Sequence, residues 1–309
     1  MADELPSWHK RTDKPDNFMK QVFQHLLVIL QNQPDDLMVL NRALNLAQQY
    51  QSKVTFFCSM YQSRSLANIN EQAAQYQQKL QQLSRDKSLA KCPAIEICWQ
   101  QPARKRIEQL LADSDISLII KRLQPKRSLL SWLVPDLEHY FISDCTLPVW
   151  LVKQACANTE LSILACLDLD NSSSQQHNLN NSILTIGEQI VQQHSQHLHV
   201  LNCYQADDYS ISLPYDSNHG FAPLPDIQQQ HSAKLSPYLA KYQLTTEAVH
   251  LSEGLPDDEI PKAVQNYQCQ LAIIGNSHTH HFSSVLFGDT AHYLSRHTPC
   301  DVLVVKQAD

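Results

Sequence analysis

Short apolar runs recur along the chain, separated by stretches in which apolar residues return every three or four positions. Leu26-Leu27-Val28-Ile29-Leu30 is one run, Leu118-Ile119-Ile120 another, and Leu147-Pro148-Val149-Trp150-Leu151-Val152-Lys153 a third. The same series returns later as Leu161 to Leu167, Ala272-Ile273-Ile274 and Cys300-Asp301-Val302-Leu303-Val304-Val305-Lys306. Runs that are apolar at consecutive positions suit parallel strands covered by helices on both faces. A repeat of this length signals a duplicated domain, not a solenoid of short units. The predicted strands are 25–31, 53–60, 93–99, 116–122 and 147–153, then 161–168, 198–204, 245–251, 270–275 and 301–306.

Helical periodicity fills the intervals. Residues 35–51 put Leu37, Leu40, Leu44 and Ala47 on one face. Residues 256–268 open on Pro256 and Asp257, a helix-start signal, and carry Ile260, Ala263, Val264 and Tyr267 on one stripe. Residues 177–196 and 226–243 read as helices with Gln-rich outer faces. Each half therefore reads β-α-β-α-β-α-β-α-β. With right-handed crossovers that order predicts an α/β fold of two tandem, doubly wound, parallel five-stranded sheet domains. The boundaries expected are a polar tail over 1–20, a first domain over 21–154 and a second over 159–309.

Composition narrows the function classes. A formal charge of −7 opposes a general affinity for nucleic acid or anionic lipid. The 15 histidines make that balance pH-dependent. The nine cysteines show neither disulfide nor zinc spacing. Cys58, Cys98, Cys145, Cys166, Cys203 and Cys300 stand singly in or beside strand-like runs, as buried thiols of a reducing compartment would. No run approaches the roughly 20 apolar residues of a membrane span, and the first 20 residues lack a signal-peptide core. A cytoplasmic protein without nucleic-acid or membrane partners is expected.

In such sheets ligands bind beyond the carboxyl ends of the strands, where the winding reverses. In the second half that is Asp168, after the first strand, and Gly275, after the fourth. Gly275-Asn276-Ser277-His278 is followed by nine residues and then by Gly288-Asp289-Thr290. This resembles the G-x-x-G, nine residues, G-Ser/Thr pattern through which many members of the universal stress protein family bind ATP. Glu253-Gly254-Leu255-Pro256 is similar to that family's turn before the third helix. The resemblance implies the family's adenine-nucleotide hydrolase-like fold and covers nearly the whole chain beyond the tail. It places Asp168 near an adenine and ribose, Cys203 against the base, and Gly275, His278, Gly288, Asp289 and Thr290 around phosphates.

Two positions depart from the pattern. His278 replaces the second glycine, and Asp289 puts a carboxylate where phosphates would lie. Two anions there repel unless a divalent cation intervenes; Asp289 could equally cap its own helix. Intact ATP binding with a divalent cation and an altered small-ligand pocket both stay open. The first half is easier to read. All five glycines lie at or beyond Gly187, and Lys121 is matched to Gly275, with Arg122, Pro125, Lys126 and Arg127 following. The family's phosphate cradle cannot be built from these residues, so the first domain is expected to be structural. As in tandem members of the family, the two domains would pack as an intramolecular pseudo-dimer. A homodimer and a protein partner are further options.

Other features carry less. His278, His280, His281, His292 and His297 invite a metal, but no acidic or cysteine ligand stands at a matching spacing. The segment 205–225, with Tyr209, Ile211, Leu213, Tyr215 and Phe221, is either a lid for an amphipathic or acyl ligand or a segment that packs on the neighbouring domain. No G-x-S-x-G, Walker or H-E-x-x-H motif is present. Asp168 and Asp170 are read as one carboxylate at the strand end and one capping the next turn, and not as a paired acid/base set. The sequence reads as a binding module; slow ATP hydrolysis or autophosphorylation, and a ligand-free scaffold, are its rivals.

Overall fold

The structure is a computed structural model that describes residues 22–61, 69–85, 89, 91–123, 137–153, 162–191, 197–205, 226–276 and 288–307. It divides into two compact units. One takes the chain up to Thr159 together with Cys300–Lys306, and the other takes Glu160–Pro299 with Gln307–Asp309.

The first unit contains β1 (His25–Leu30), α1 (Asp36–Tyr50), β2 (Lys53–Ser59), α2 (Ile69–Arg85), β3 (Ala94–Cys98), α3 (Ala103–Asp113) and β4 (Leu118–Arg122). α4 (Leu137–His139, continued by a π-helical turn over Tyr140–Asp144) and β5 (Val149–Val152) follow. The strands lie in the order β3-β2-β1-β4-β5, all parallel. Every residue of β1 and β5 is buried, as a doubly covered strand requires.

The turn from β1 into α1 is fixed by one carboxylate. Asp36 accepts backbone N–H bonds from Gln31 and Gln33 at 3.1 Å and the Tyr76 hydroxyl at 2.8 Å. Helix α1 then buries Val39, Leu40, Ala43, Leu44, Leu46 and Ala47. Leu37, expected on this stripe, is 50% exposed because it falls in the first turn, before the helix lies over the sheet.

In the second unit β6 (Ser162–Leu167), α5 (Ser174–Val191), β7 (His197–Tyr204), α6 (Ile227–Tyr242), β8 (Val249–Glu253), α7 (Pro256–Asn266), β9 (Leu271–Asn276) and α8 (Gly288–His297) succeed one another. Its strands lie in the order β9-β6-β7-β8. β8 begins four residues later than expected because Thr246–Ala248 coil into a 3-10 turn. Of the stripe read on α7, Ile260, Ala263 and Val264 are buried, whereas Tyr267 lies just past the helix.

The fold is thus the expected α/β class, each repeat supplying five strands. The difference from two self-contained sheets is the last strand, β10 (Asp301–Lys306), which belongs to the first unit. It runs antiparallel to β5, with Val302, Leu303 and Val304 opposite Leu151, Trp150 and Val149. Asp301 explains the attachment. Its carboxylate takes Arg42 Nη2 at 2.7 Å, Trp150 Nε1 at 3.0 Å and the Lys153 backbone N–H at 2.9 Å.

On the second unit His199 Nδ1 and His250 Nε2 lie 3.1 Å apart, and both rings stack on Tyr267. Burial, and the charge that each would meet from a neighbouring histidine, hold both imidazoles below their ordinary range. The unfolded chain then binds more protons than the folded one, so stability falls as pH drops through about 6.5, the unfolded histidine value. The melting temperature is expected to decline between pH 7 and pH 5. The His199→Gln/His250→Gln double variant should flatten that decline, and an unchanged pH profile would contradict it.

No helix among the described residues is long and apolar enough to cross a membrane.

Candidate functional site

The carboxyl ends of β6, β7 and β9 open into a cleft that is partly open to solvent, with about 590 Å³ of free space when its open mouth is included. Cys166, Leu167 and Asp168 form one wall, Leu201 and Cys203 the next, and Ile274 and Gly275 the third. α5 contributes Gln176, Leu179 and Ile183; α7 contributes Pro256 and Ile260; α8 contributes Thr290, Ala291 and Leu294. Four residues singled out from sequence, Asp168, Cys203, Gly275 and Thr290, therefore line one cavity. Gly288 begins α8. His278 and the Asp289 side chain lie outside the described residues, as do His280, His281, Lys126, Arg127 and residues 206–225.

Asp168 sits one residue beyond β6, at the strand end as expected. Its Oδ1 accepts the Asp170 backbone N–H at 3.0 Å, an Asx turn that folds the loop back. Asn180 holds the same residue from α5: Oδ1 accepts the Asp168 N–H, and Nδ2 donates to its carbonyl at 2.7 Å. Burial raises the Asp168 carboxyl above the usual range, aided by the charge of Asp170. The expectation of fully buried thiols fails for Cys166 and Cys203, which are half-buried because they face this cavity. Burial, with the Glu259 carboxylate nearby, pushes the Cys203 thiol up to about 12, so it is no nucleophile at neutral pH.

Gly275 has a packing reason, not a conformational one. It lies inside β9, and a Cβ there would stand 2.8 Å from Leu179 Cδ2 and 3.3 Å from Ile183 Cδ1. Gly275→Ala should therefore cost about 1–3 kcal/mol through overpacking. The cost would be read as a lower urea midpoint at unchanged slope, and Leu179→Ala in the same chain should recover part of it. The Thr290 hydroxyl, placed by resemblance against a phosphate, bonds the Asp257 carboxylate instead. Sequence reading missed the α5 wall; its signal was the apolar spacing of Leu179 and Ile183. It also missed His231, whose ring bonds Asn202 Oδ1 at 2.7 Å and faces Asp170 Oδ1 at 3.2 Å.

In the first unit the strand registers correct one match. Leu26 pairs with Leu118 as Ile163 pairs with Leu271, so Arg122, not Lys121, takes the place of Gly275. Arg122 pairs with Asp35, and Lys121 turns the other way to a buried ion pair with Glu138 at 3.3 Å. For metals, the described residues hold no group of three or more His, Cys, Asp or Glu suited to an ion. His297 is occupied by a stack on Tyr293 and a bond to its carbonyl at 2.8 Å.

The sequence model of the universal stress protein family matches residues 162–306. Universal stress protein E of Salmonella typhi is 22% identical over 300 residues, covering 92% of this chain and 95% of that protein. The second repeat, residues 162–306, belongs to the universal stress protein family. Universal stress protein E of Escherichia coli K12 is 21% identical over 299 residues, covering 92% of this chain and 94% of its own. This near-full-length match fits the tandem type of the family. A universal stress protein from Archaeoglobus fulgidus superposes with a TM-score of 0.63 at 14% identity, over 93% of this chain and all of that one. A functionally unknown protein of Pseudomonas aeruginosa PAO1 gives 0.67 at 22% identity, over 94% and 95%. At these identities the two structures speak for the fold alone.

Proposed function

We propose that this member of the universal stress protein family is a cytoplasmic stress-response binding protein. Its second domain (159–309) holds a small ligand in the cleft beyond β6, β7 and β9, and its first (21–154, after the tail) is structural. The observation that carries this reading is the convergence of Asp168, Cys203, Gly275 and Thr290 on one cleft at the carboxyl ends of the strands. Among the described residues, the eight cysteines form no disulfide, in keeping with a reducing compartment. In the first unit, Arg122 with Asp35 and Lys121 with Glu138 occupy the corresponding strand end. Binding in the second domain would then alter a surface read by a protein partner.

Native mass spectrometry of protein purified without added nucleotide tests the reading. An adduct that persists on the intact chain and is lost when Cys203→Phe fills the cleft is the expected result. A bare mass, together with no added small molecule binding, would leave a ligand-free scaffold. An ATP adduct requiring a divalent cation would restore the nucleotide reading.

A further inference from the structure

The chemistry of the cleft walls specifies its occupant more closely than the fold does. This step rests on the reading above that the cleft holds a small ligand. Among the described residues, none of those lining it is Lys, Arg or His. Lys234, whose charge acts on Asp168, is already donating to the Leu169 carbonyl at 2.9 Å. One carboxylate lines the cleft, and two others stand behind its lining residues. Asp168 lies in one wall, Glu259 stands close enough to Cys203 to raise its thiol, and Asp257 backs Thr290.

The Asp257 carboxylate is informative because it is only half used. One side of it takes the Thr290 hydroxyl, while its Oδ1 is shielded from solvent with no hydrogen-bond partner among the described residues. An unmet acceptor beside a cleft asks for a donor, since leaving it unpaired costs free energy. The remaining lining is apolar, from Leu167, Leu179, Ile183, Leu201, Ile260 and Leu294. A low-dielectric wall strengthens the field of the carboxylates within it. A phosphate group would meet that field with no side-chain cation among the lining residues to offset it.

We infer that the cleft selects a monocationic, apolar-bodied ligand, an alkyl- or arylamine whose ammonium sits on Asp168, and discriminates against anionic ligands of the same shape. The ammonium supplies N–H donors to the carboxylate, and the hydrocarbon body displaces water from the leucine and isoleucine wall.

The test uses the full chain and three probes by calorimetry and ligand-observed NMR: phenethylamine, the similarly shaped anion 3-phenylpropionate, and ATP with magnesium. Phenethylamine should bind about tenfold or more tightly than 3-phenylpropionate, the order expected of one charge-assisted contact. Asp168→Asn, nearly the same shape without the charge, should bring the two probes to similar affinity; its thermal melt shows that the fold is kept. Should Asp168→Asn fail to fold, blocking of phenethylamine by Cys203→Phe with the fold retained reports the same site. Tighter binding of 3-phenylpropionate or ATP would overturn the cation preference while leaving a small-ligand cleft in place. Phenethylamine binding that survives both Asp168→Asn and Cys203→Phe would place the amine elsewhere and overturn the assignment. Binding of no probe would overturn the cation preference and count against the small-ligand reading as well.

Discussion

Asp301→Ala should cost about 3–5 kcal/mol, the usual penalty for removing one partner of a buried charged pair. Asp301 is 1% exposed, and the Arg42 side chain that meets it is only 9% exposed. The substitution strands the guanidinium, the Trp150 indole N–H and the Lys153 backbone N–H together. Among the described residues, Arg42 already keeps one buried nitrogen, Nε, without a hydrogen bond, so it has little slack to absorb a further loss. At about 2–4 °C per kcal/mol for a unit of this size, the melting temperature should fall by about 6–20 °C. Asp301→Asn keeps an acceptor for the backbone N–H and should cost less. A loss under about 1 kcal/mol for the alanine variant would show that water reaches Arg42 after all.

The second large effect lies one strand away. Lys121 and Glu138 are 3% and 1% exposed, and the Lys121 ammonium also stands 5.9 Å from the centre of the Phe141 ring. Glu138→Leu leaves a buried ammonium without its carboxylate and should cost about 3–5 kcal/mol. Replacing both, Lys121→Met with Glu138→Leu, removes two desolvation penalties along with the attraction between the charges. The double variant should return to within about 1 kcal/mol of the wild type, or exceed it. Chemical denaturation of all four proteins in one cycle reads the coupling. Additive losses would mean that the pair is not coupled as its geometry requires.

Neither pair was legible in the sequence, and the reason is physical. A buried ion pair has no period and no spacing; Arg42 and Asp301 meet only because β10 lies beside β5. The strands were legible because doubly covered positions demand consecutive apolar residues, as β1, β5 and β10 show. Helix faces were legible where the helix lies over the sheet and failed at its first turn, as Leu37 shows. Of the candidate site, the strand ends Asp168, Cys203 and Gly275 could be placed because fold class fixes where strand ends meet. What each residue does there could not. Gly275 yields to Leu179, Thr290 is taken by Asp257, and Arg122 rather than Lys121 stands at the strand end. Each depends on a neighbour from another element, which no local pattern announces.

The position of β10 has a consequence for how the protein is made. Residues 300–306 seal the edge strand, β5, of a sheet whose other members were synthesised about 150 residues earlier or more. During vectorial synthesis the N-terminal unit must wait, its β5 edge bare, until the whole second repeat has left the ribosome. That interval exposes an apolar strand edge to other chains. Closing so long a loop slows folding far more than it costs in final stability.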